Sequence, residues 1–127
     1  MSKKIMIVDD NPSIIFSVKE GLELIDDSFE IIGAESGEKC LELLKSGNLP
    51  DLILLDIMMP GMNGWDLFAE LDNNTEWKKI PVVFLTAKTD AYSTGFGKLV
   101  SMDYIEKPFD LKDLKKRIDS ILERENV

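Results

Sequence analysis

The chain has 127 residues, which is enough for one hydrophobic core but not for two. Its net charge of −9 argues against direct nucleic-acid binding, which depends on clustered Lys and Arg that neutralise phosphates. There is no histidine and one cysteine, Cys40, so the composition excludes His-dependent catalysis, a Cys/His zinc site and an internal disulfide.

Three strands are predicted in the first half of the chain, each from a short apolar run: residues 4–8, 29–34 and 52–55. Pro12 opens a helix after the first strand, because proline is tolerated in a first helical turn. Ser36 is a suitable N-cap for a second helix, which should end near Gly47. The third run is apolar throughout, as is typical of a central parallel strand.

The second half of the chain continues this alternation. A loop at residues 58–64 leads into a third helix, and apolar runs at 80–85 and 104–105 predict the last two strands. Asp110 and Asp113 give the last helix a start that resembles a capping box. Residues 89–100 should form another helix, but their two glycines each disfavour it by about 1 kcal/mol. We therefore expect that helix to be short, frayed or partly irregular.

Strands that alternate with helices predict an α/β fold, with a doubly wound, five-stranded parallel sheet covered on both faces. We predict the strand order 2-1-3-4-5, which is that of the flavodoxin-like class. Residues 1–127 are expected to form one domain. Because no apolar run is long enough to span a membrane and no signal-peptide pattern is present, we expect a cytoplasmic protein without membrane insertion.

Acidic residues directly follow two of the predicted strands. Asp9 and Asp10 come after the first strand, and Asp56 comes after the third. These strands are neighbours in the proposed order, so the three carboxylates should converge at the carboxyl edge of the sheet, where ligands bind in such folds. A hard dication would relieve their mutual repulsion, and an all-oxygen site suits Mg²⁺.

Two further polar residues follow the last two strands. Thr86 comes after the fourth strand, and Lys107 comes after the fifth. A hydroxyl donor and an ammonium beside a metal ion are the groups that stabilise a transferring phosphoryl group. The residues alone therefore indicate a site for a phosphoryl group or a carboxylate anion.

Four stretches carry a closer resemblance, in one order along the chain: residues 7–11, 54–64, 85–88 and 103–109. Together they resemble the receiver domain of two-component response regulators, of the single-domain, chemotaxis-regulator type. The resemblance covers essentially the whole chain. It implies that Asp56 is the phosphoacceptor, which attacks phosphorus and becomes an acyl phosphate.

The resemblance also implies a metal ligand set. Asp10 and Asp56 would bind Mg²⁺ directly, and Asp9 would bind it mostly through water. The backbone carbonyl of Met58 would be a further ligand.

The same resemblance implies that Thr86 and Lys107 bind phosphoryl oxygens. Tyr104 is similar to the family's switch aromatic, which turns inward as the threonine hydroxyl moves to the phosphate. The Lys107–Pro108 peptide bond would be cis. Such a domain is not an enzyme acting on another substrate, because it catalyses only its own phosphorylation and dephosphorylation.

The partners that the resemblance implies are a sensor histidine kinase or phosphotransfer protein and a downstream effector. The effector would read the face formed by the helix at 89–100, the fifth strand and the last helix. Asp103 and Arg117 match positions that pair across a dimer in one receiver subfamily. We favour two solvated charges there, with a phosphorylation-dependent homodimer as the alternative, since exposed ion pairs contribute little.

The chain departs from the family pattern in its switch region. The spacing from Thr86 to Lys107 is one residue shorter than usual, and Ser101 and Met102 replace the common Gly-Ala pair. A receiver fold that binds a partner constitutively is therefore an alternative function. Two further alternatives fit less well. An aspartyl-phosphate hydrolase would usually have an Asp at position 58, and a flavin-binding protein would need a phosphate loop in place of residues 9–12.

Overall fold

The structure is a computed structural model that describes residues 2–87 and 103–125. Five strands form one parallel sheet in the order β2-β1-β3-β4-β5, which confirms the predicted topology. The strands are β1 (Lys3–Val8), β2 (Phe29–Ala34), β3 (Leu52–Asp56), β4 (Val82–Thr86) and β5 (Tyr104–Glu106). The helices of the described residues are α1 (Pro12–Ile25), α2 (Gly37–Lys45), α3 (Gly64–Asp72) and the C-terminal α4 (Leu111–Glu125).

The prediction for residues 89–100 concerns a segment outside the described residues. The fourth strand differs from its prediction, since it begins at Val82 and not at residue 80. A 3₁₀ turn at Trp77–Lys79 precedes it, and Pro81 has no N–H group with which to join the ladder of hydrogen bonds. An apolar run alone could not reveal this later start.

The helices begin at capping residues that the sequence largely predicts. Ser36 accepts a hydrogen bond from Lys39 N at 3.0 Å, which confirms it as the N-cap of α2. Asp110 accepts from Lys112 N at 3.1 Å at the start of α4. The complete capping box lies instead at α3, where Asn63 and Asp66 cap each other's backbone N–H groups.

Two apolar layers cover the sheet. On one face, α1 and α4 pack against alternate residues of the central strands, among them Ile5, Leu54 and Leu85. On the other face, α2 and α3 pack against the residues in between, such as Met6 and Leu55. Because β1, β3 and β4 are buried on both faces, their carboxyl ends are held rigidly, and the loops after them carry the site. None of the described helices combines the length and apolar character that a membrane crossing requires.

Cys40 allows a test of how α2 packs against the sheet. Its side chain is completely buried, and this burial raises the pKa of the thiol to about 12. Because only the thiolate reacts, we expect the native protein to react with a thiol reagent at least ~100-fold more slowly than the urea-unfolded protein. Labelling followed by absorbance in both states measures this ratio. Rapid labelling of the native protein would contradict the packing of α2 described here.

Candidate functional site

Three carboxylates meet at the carboxyl ends of β1 and β3. These strands are paired so that Val8 lies opposite Leu55, which brings Asp9 and Asp56 side by side. One oxygen atom from each of Asp9, Asp10 and Asp56 lies within 4.8 Å of the others. Asp9 is 1% exposed and Asp56 is 4% exposed, whereas Asp10 faces solvent. The predicted convergence of the three acids is therefore present in the structure.

Lys107 lies at the centre of this acidic cluster. Its backbone N–H donates to Thr86 O at 2.7 Å, which fixes the residue beside the end of β4. Its ammonium bridges the two buried acids, at 3.0 Å from Asp9 Oδ2 and 3.1 Å from Asp56 Oδ1. The Lys107–Pro108 bond is cis, as the resemblance implied. In this structure Lys107 thus neutralises two carboxylates, whereas the resemblance implied that it binds phosphoryl oxygens.

The electrostatics of the cluster favour a cation. Burial and the neighbouring charge of Asp9 raise the pKa of Asp56 to about 6, although Lys107 opposes the shift. Burial also disfavours the Lys107 ammonium, but its bonds to Asp9 and Asp56 outweigh this effect and raise the pKa of Lys107. Three carboxylates and one ammonium carry a formal charge of −2, which a divalent ion would cancel. This all-oxygen donor set fits Mg²⁺.

Thr86 and Tyr104 occupy the strands beyond Asp56. Thr86 ends β4 and is buried, and its hydroxyl donates to Ala87 O at 2.9 Å. Tyr104 begins β5 opposite Phe84 and is half-buried against the layer that α2 and α3 cover. Since the hydroxyl has a single proton, its bond to Ala87 must break before Thr86 can donate to another group.

Of two further residues that the sequence singled out, Met58 is exposed and Asp103 is paired with another side chain. Met58 is 52% exposed and lies two residues after Asp56 in the sequence. Asp103 accepts a hydrogen bond from Arg124 at 2.8 Å, so this acid is paired within its own chain. We predicted a solvated charge at Asp103; the structure pairs it with Arg124, a partner that the sequence pattern did not indicate.

Gly64 is a site residue that the sequence analysis did not single out. A Cβ atom at this position would lie 2.6 Å from Asp56 O and 2.7 Å from Ile57 Cα. The Gly64 N–H also donates to Ile57 O at 2.8 Å. The first residue of α3 therefore packs directly on the backbone that holds Asp56. Its signals in the sequence are its position after Asn63 and its place at the end of the family-like stretch 54–64.

We expect Gly64→Ala to lower the unfolding free energy by about 1–3 kcal/mol, because the added methyl group can be accommodated only by moving the backbone of β3. Urea unfolding measures this change. Gly61→Asn is the matched control in the same loop: Gly61 has φ +72, a conformation that asparagine tolerates, and no atom lies near a Cβ built there. Equal losses in the two variants would mean that the close approach at Gly64 is unimportant.

Comparisons with known proteins agree with this geometry. A sequence model of the family described as response regulator receiver domain matches residues 5–119. A solved CheY-like receiver domain protein from Methanospirillum hungatei is 40% identical, with a TM-score of 0.79 and coverage of 98% of this chain and 97% of that one. Protein PilH of Pseudomonas aeruginosa is 33% identical over 94% of this chain and 97% of its own length.

Many relatives are longer. The transcriptional regulatory protein CpxR of Escherichia coli is 38% identical over 95% of this chain but only 50% of its own length. The chain spans about half or less of the length of most of the curated relatives that it matches.

Proposed function

This chain belongs to the response regulator receiver domain family, and we therefore propose that it is a two-component signalling switch that accepts a phosphoryl group on Asp56. The observation that carries the proposal is the buried contact of Lys107 with Asp9 and Asp56 at the edge where three carboxylates converge. We further propose that residues 1–127 act as one receiver domain in the cytoplasm, and that they turn over no substrate other than their own aspartyl phosphate.

In the proposed step, a carboxylate oxygen of Asp56 attacks the phosphorus atom of the donor. The bond between phosphorus and the donor's leaving atom breaks, and the leaving atom keeps the electron pair. Lys107 already lies 3.1 Å from Asp56, so its ammonium needs to move little to bind a phosphoryl oxygen. Thr86 would exchange its bond to Ala87 for a bond to a second oxygen.

The residues that would hold Mg²⁺ are Asp9, Asp10, Asp56 and the backbone carbonyl of Met58. The bound ion would supply positive charge to the carboxylates and to the incoming phosphoryl group. Lys107 does part of this already, because it neutralises the two buried acids. Asp10 is exposed, so the metal site would be open to water at this residue.

Phosphorylation would then alter the face formed by β5, α4 and the segment at 89–100, which lies outside the described residues. As the resemblance implies, movement of Thr86 toward the phosphate would be accompanied by an inward turn of Tyr104 on the neighbouring strand. About 5.5 kcal/mol of differential stabilisation would move such a switch from 1:99 to 99:1. We propose that a downstream effector reads this face. In the dimer alternative, a contact of Asp103 with Arg117 of a second copy would have to replace the Asp103–Arg124 pair.

We propose a histidine kinase or a phosphotransfer protein as the donor. A mostly apolar cavity of about 530 Å³ opens directly beside Lys107, between α1 and the loop that precedes α4. Ile14 and Val18 line one side, and Pro108 and Phe109 line the other. A protein that covered this cavity would hold its phosphoryl group close to Asp56.

Incubation with acetyl phosphate and Mg²⁺ tests the proposal. We expect intact-protein mass spectrometry to show one added phosphoryl group, which is absent without Mg²⁺ and absent from Asp56→Asn. Asp72→Asn, which removes an exposed carboxylate of α3, is the control and should be modified like the wild type. An adduct that persists in Asp56→Asn, or a wild type that is never modified although it is folded and binds Mg²⁺, would refute the proposal.

A further inference from the structure

The outer edge of the sheet has an unusual arrangement at β2. Among residues 2–87 and 103–125, this strand pairs with β1 alone, so its other side is an edge of the sheet. Lys3 N donates to Ser28 O and Asp9 N donates to Ala34 O, which shows that the even-numbered residues turn their peptide groups toward β1. The peptide groups of Phe29, Ile31 and Gly33 must therefore point outward. Such groups form a template on which another strand can pair.

An ion pair on α1 occupies the middle of this edge. Glu23 Oε2 accepts a hydrogen bond from Ile31 N at 3.0 Å, and Lys19 Nζ lies 3.4 Å from Ile31 O as its donor. The two side chains also bind each other, at 2.9 Å. The bond from Ile31 N and the contact with Lys19 lower the pKa of Glu23, so the carboxylate stays charged at neutral pH. One lysine and one glutamate thus satisfy both outward groups of Ile31.

We propose that the Lys19–Glu23 ion pair is a guard that prevents β2 from pairing with β2 of a second copy of this chain. The occupant follows from the hydrogen-bonding pattern. In an antiparallel pair, two residues that face each other exchange both of their backbone bonds. Ile31 facing Ile31 of a second copy satisfies this condition around a two-fold axis, with each N–H donating to the other C=O. The contact is self-complementary and closes as a dimer.

Two further features make this edge suitable for contact with a second copy. Phe16 lies on the same helix one turn before Lys19 and is 63% exposed, so a second copy beside β2 would cover an apolar ring. A groove at the same edge is lined by Phe16, Lys19 and Gly33, and the backbone of Gly33 continues the outward row. Opening the guard would therefore expose the peptide groups of Ile31 next to those of Gly33, with apolar surface beside them.

The direct test is the oligomeric state of Lys19→Ala/Glu23→Ala in chelator without a phosphodonor. We expect its mass in light scattering to rise with concentration from 14.4 kDa toward twice that value, while the wild type stays at 14.4 kDa. Lys115→Ala/Asp119→Ala is the matched control, because it removes another i,i+4 ion pair, on α4, that does not line this groove. A folded double variant that stays monomeric overturns the proposal. A series of oligomers larger than a dimer also overturns it, because the proposed contact closes as a dimer.

Amide exchange at Ile31 gives a second test. It uses single variants of Glu23, so it can be carried out even if the double variant folds poorly. In the wild type this edge amide should be protected, and in Glu23→Ala it should exchange roughly tenfold to 100-fold faster, as expected for loss of a charge-assisted hydrogen bond. Glu23→Gln keeps an acceptor and should retain most of the protection. In the double variant, protection should return at high concentration if strands pair. An Ile31 amide that exchanges equally fast in the wild type and Glu23→Ala would show that no guard exists.

Discussion

Replacing Lys107 with methionine is expected to lower the unfolding free energy of the metal-free protein by roughly 3 kcal/mol at pH 7. The substitution keeps much of the side-chain volume but leaves Asp9 and Asp56 buried without their shared ammonium. Removing one partner from a buried ion pair typically costs about 3–5 kcal/mol. We expect the lower end of this range, because the carboxyl of Asp56 already has a raised pKa and can take up a proton.

Two conditions should reduce the loss of unfolding free energy caused by Lys107→Met. At pH 5 the Asp56 carboxyl is largely protonated, so less uncompensated charge remains when the ammonium is removed. Mg²⁺ should do the same at pH 7, because it supplies the missing positive charge. Urea unfolding of the wild type and the variant, in chelator at both pH values and with Mg²⁺ at pH 7, measures all three differences.

Lys3→Met is the control for this experiment. Lys3 also bonds an aspartate at 3.0 Å, Asp119, but the two side chains are 36% and 26% exposed. A pair of this kind contributes about 0–1 kcal/mol. If Lys107→Met cost no more than Lys3→Met, or if its loss were the same at pH 5 and with Mg²⁺, the charge balance proposed for the site would be wrong.

The sequence predicted the fold because its signals are local. Each strand is a short apolar run, and Pro12 and Ser36 mark the starts of helices within a few residues. The same locality explains the prediction of the acidic cluster. Asp9 directly follows β1 and Asp56 ends β3, and the strand order alone then places them together. No knowledge of side-chain conformation was needed for this step.

Contacts that join distant segments could not be predicted in this way. Lys107 was assigned to phosphoryl oxygens, but its two carboxylate bonds depend on where a loop places the ammonium. The bond of Glu23 to Ile31 N depends on how α1 lies along the edge of β2. Gly64 is required because the start of α3 packs closely against the backbone at Asp56 and Ile57. The distance between two segments of backbone cannot be read from the sequence.

Removing the charge of Asp56 should stabilise the metal-free protein. The pKa of this carboxyl is about 6 in the folded chain against an ordinary value of 3.8, chiefly because of burial. Between about pH 4 and pH 6 the folded state therefore binds more protons than the unfolded state, and stability falls as the pH rises through this window. At pH 7 the whole penalty is present, on the order of 2–3 kcal/mol.

We therefore expect Asp56→Asn in chelator to be more stable than the wild type at pH 7 by about that amount and to lose much of the fall in stability between pH 4 and 6. Mg²⁺ should stabilise the wild type and have a much smaller effect on the variant, since bound ligand stabilises only the state that holds it. Thermal or urea unfolding with Asp72→Asn as the control measures both effects. The carboxylate of Asp56 should thus lower the stability of the metal-free protein but raise the stabilisation that Mg²⁺ provides. These two opposite effects of one group are what the experiment tests. If the variant were neither more stable in chelator nor less responsive to Mg²⁺, Asp56 could not be the buried, metal-facing acid on which phosphorylation would depend.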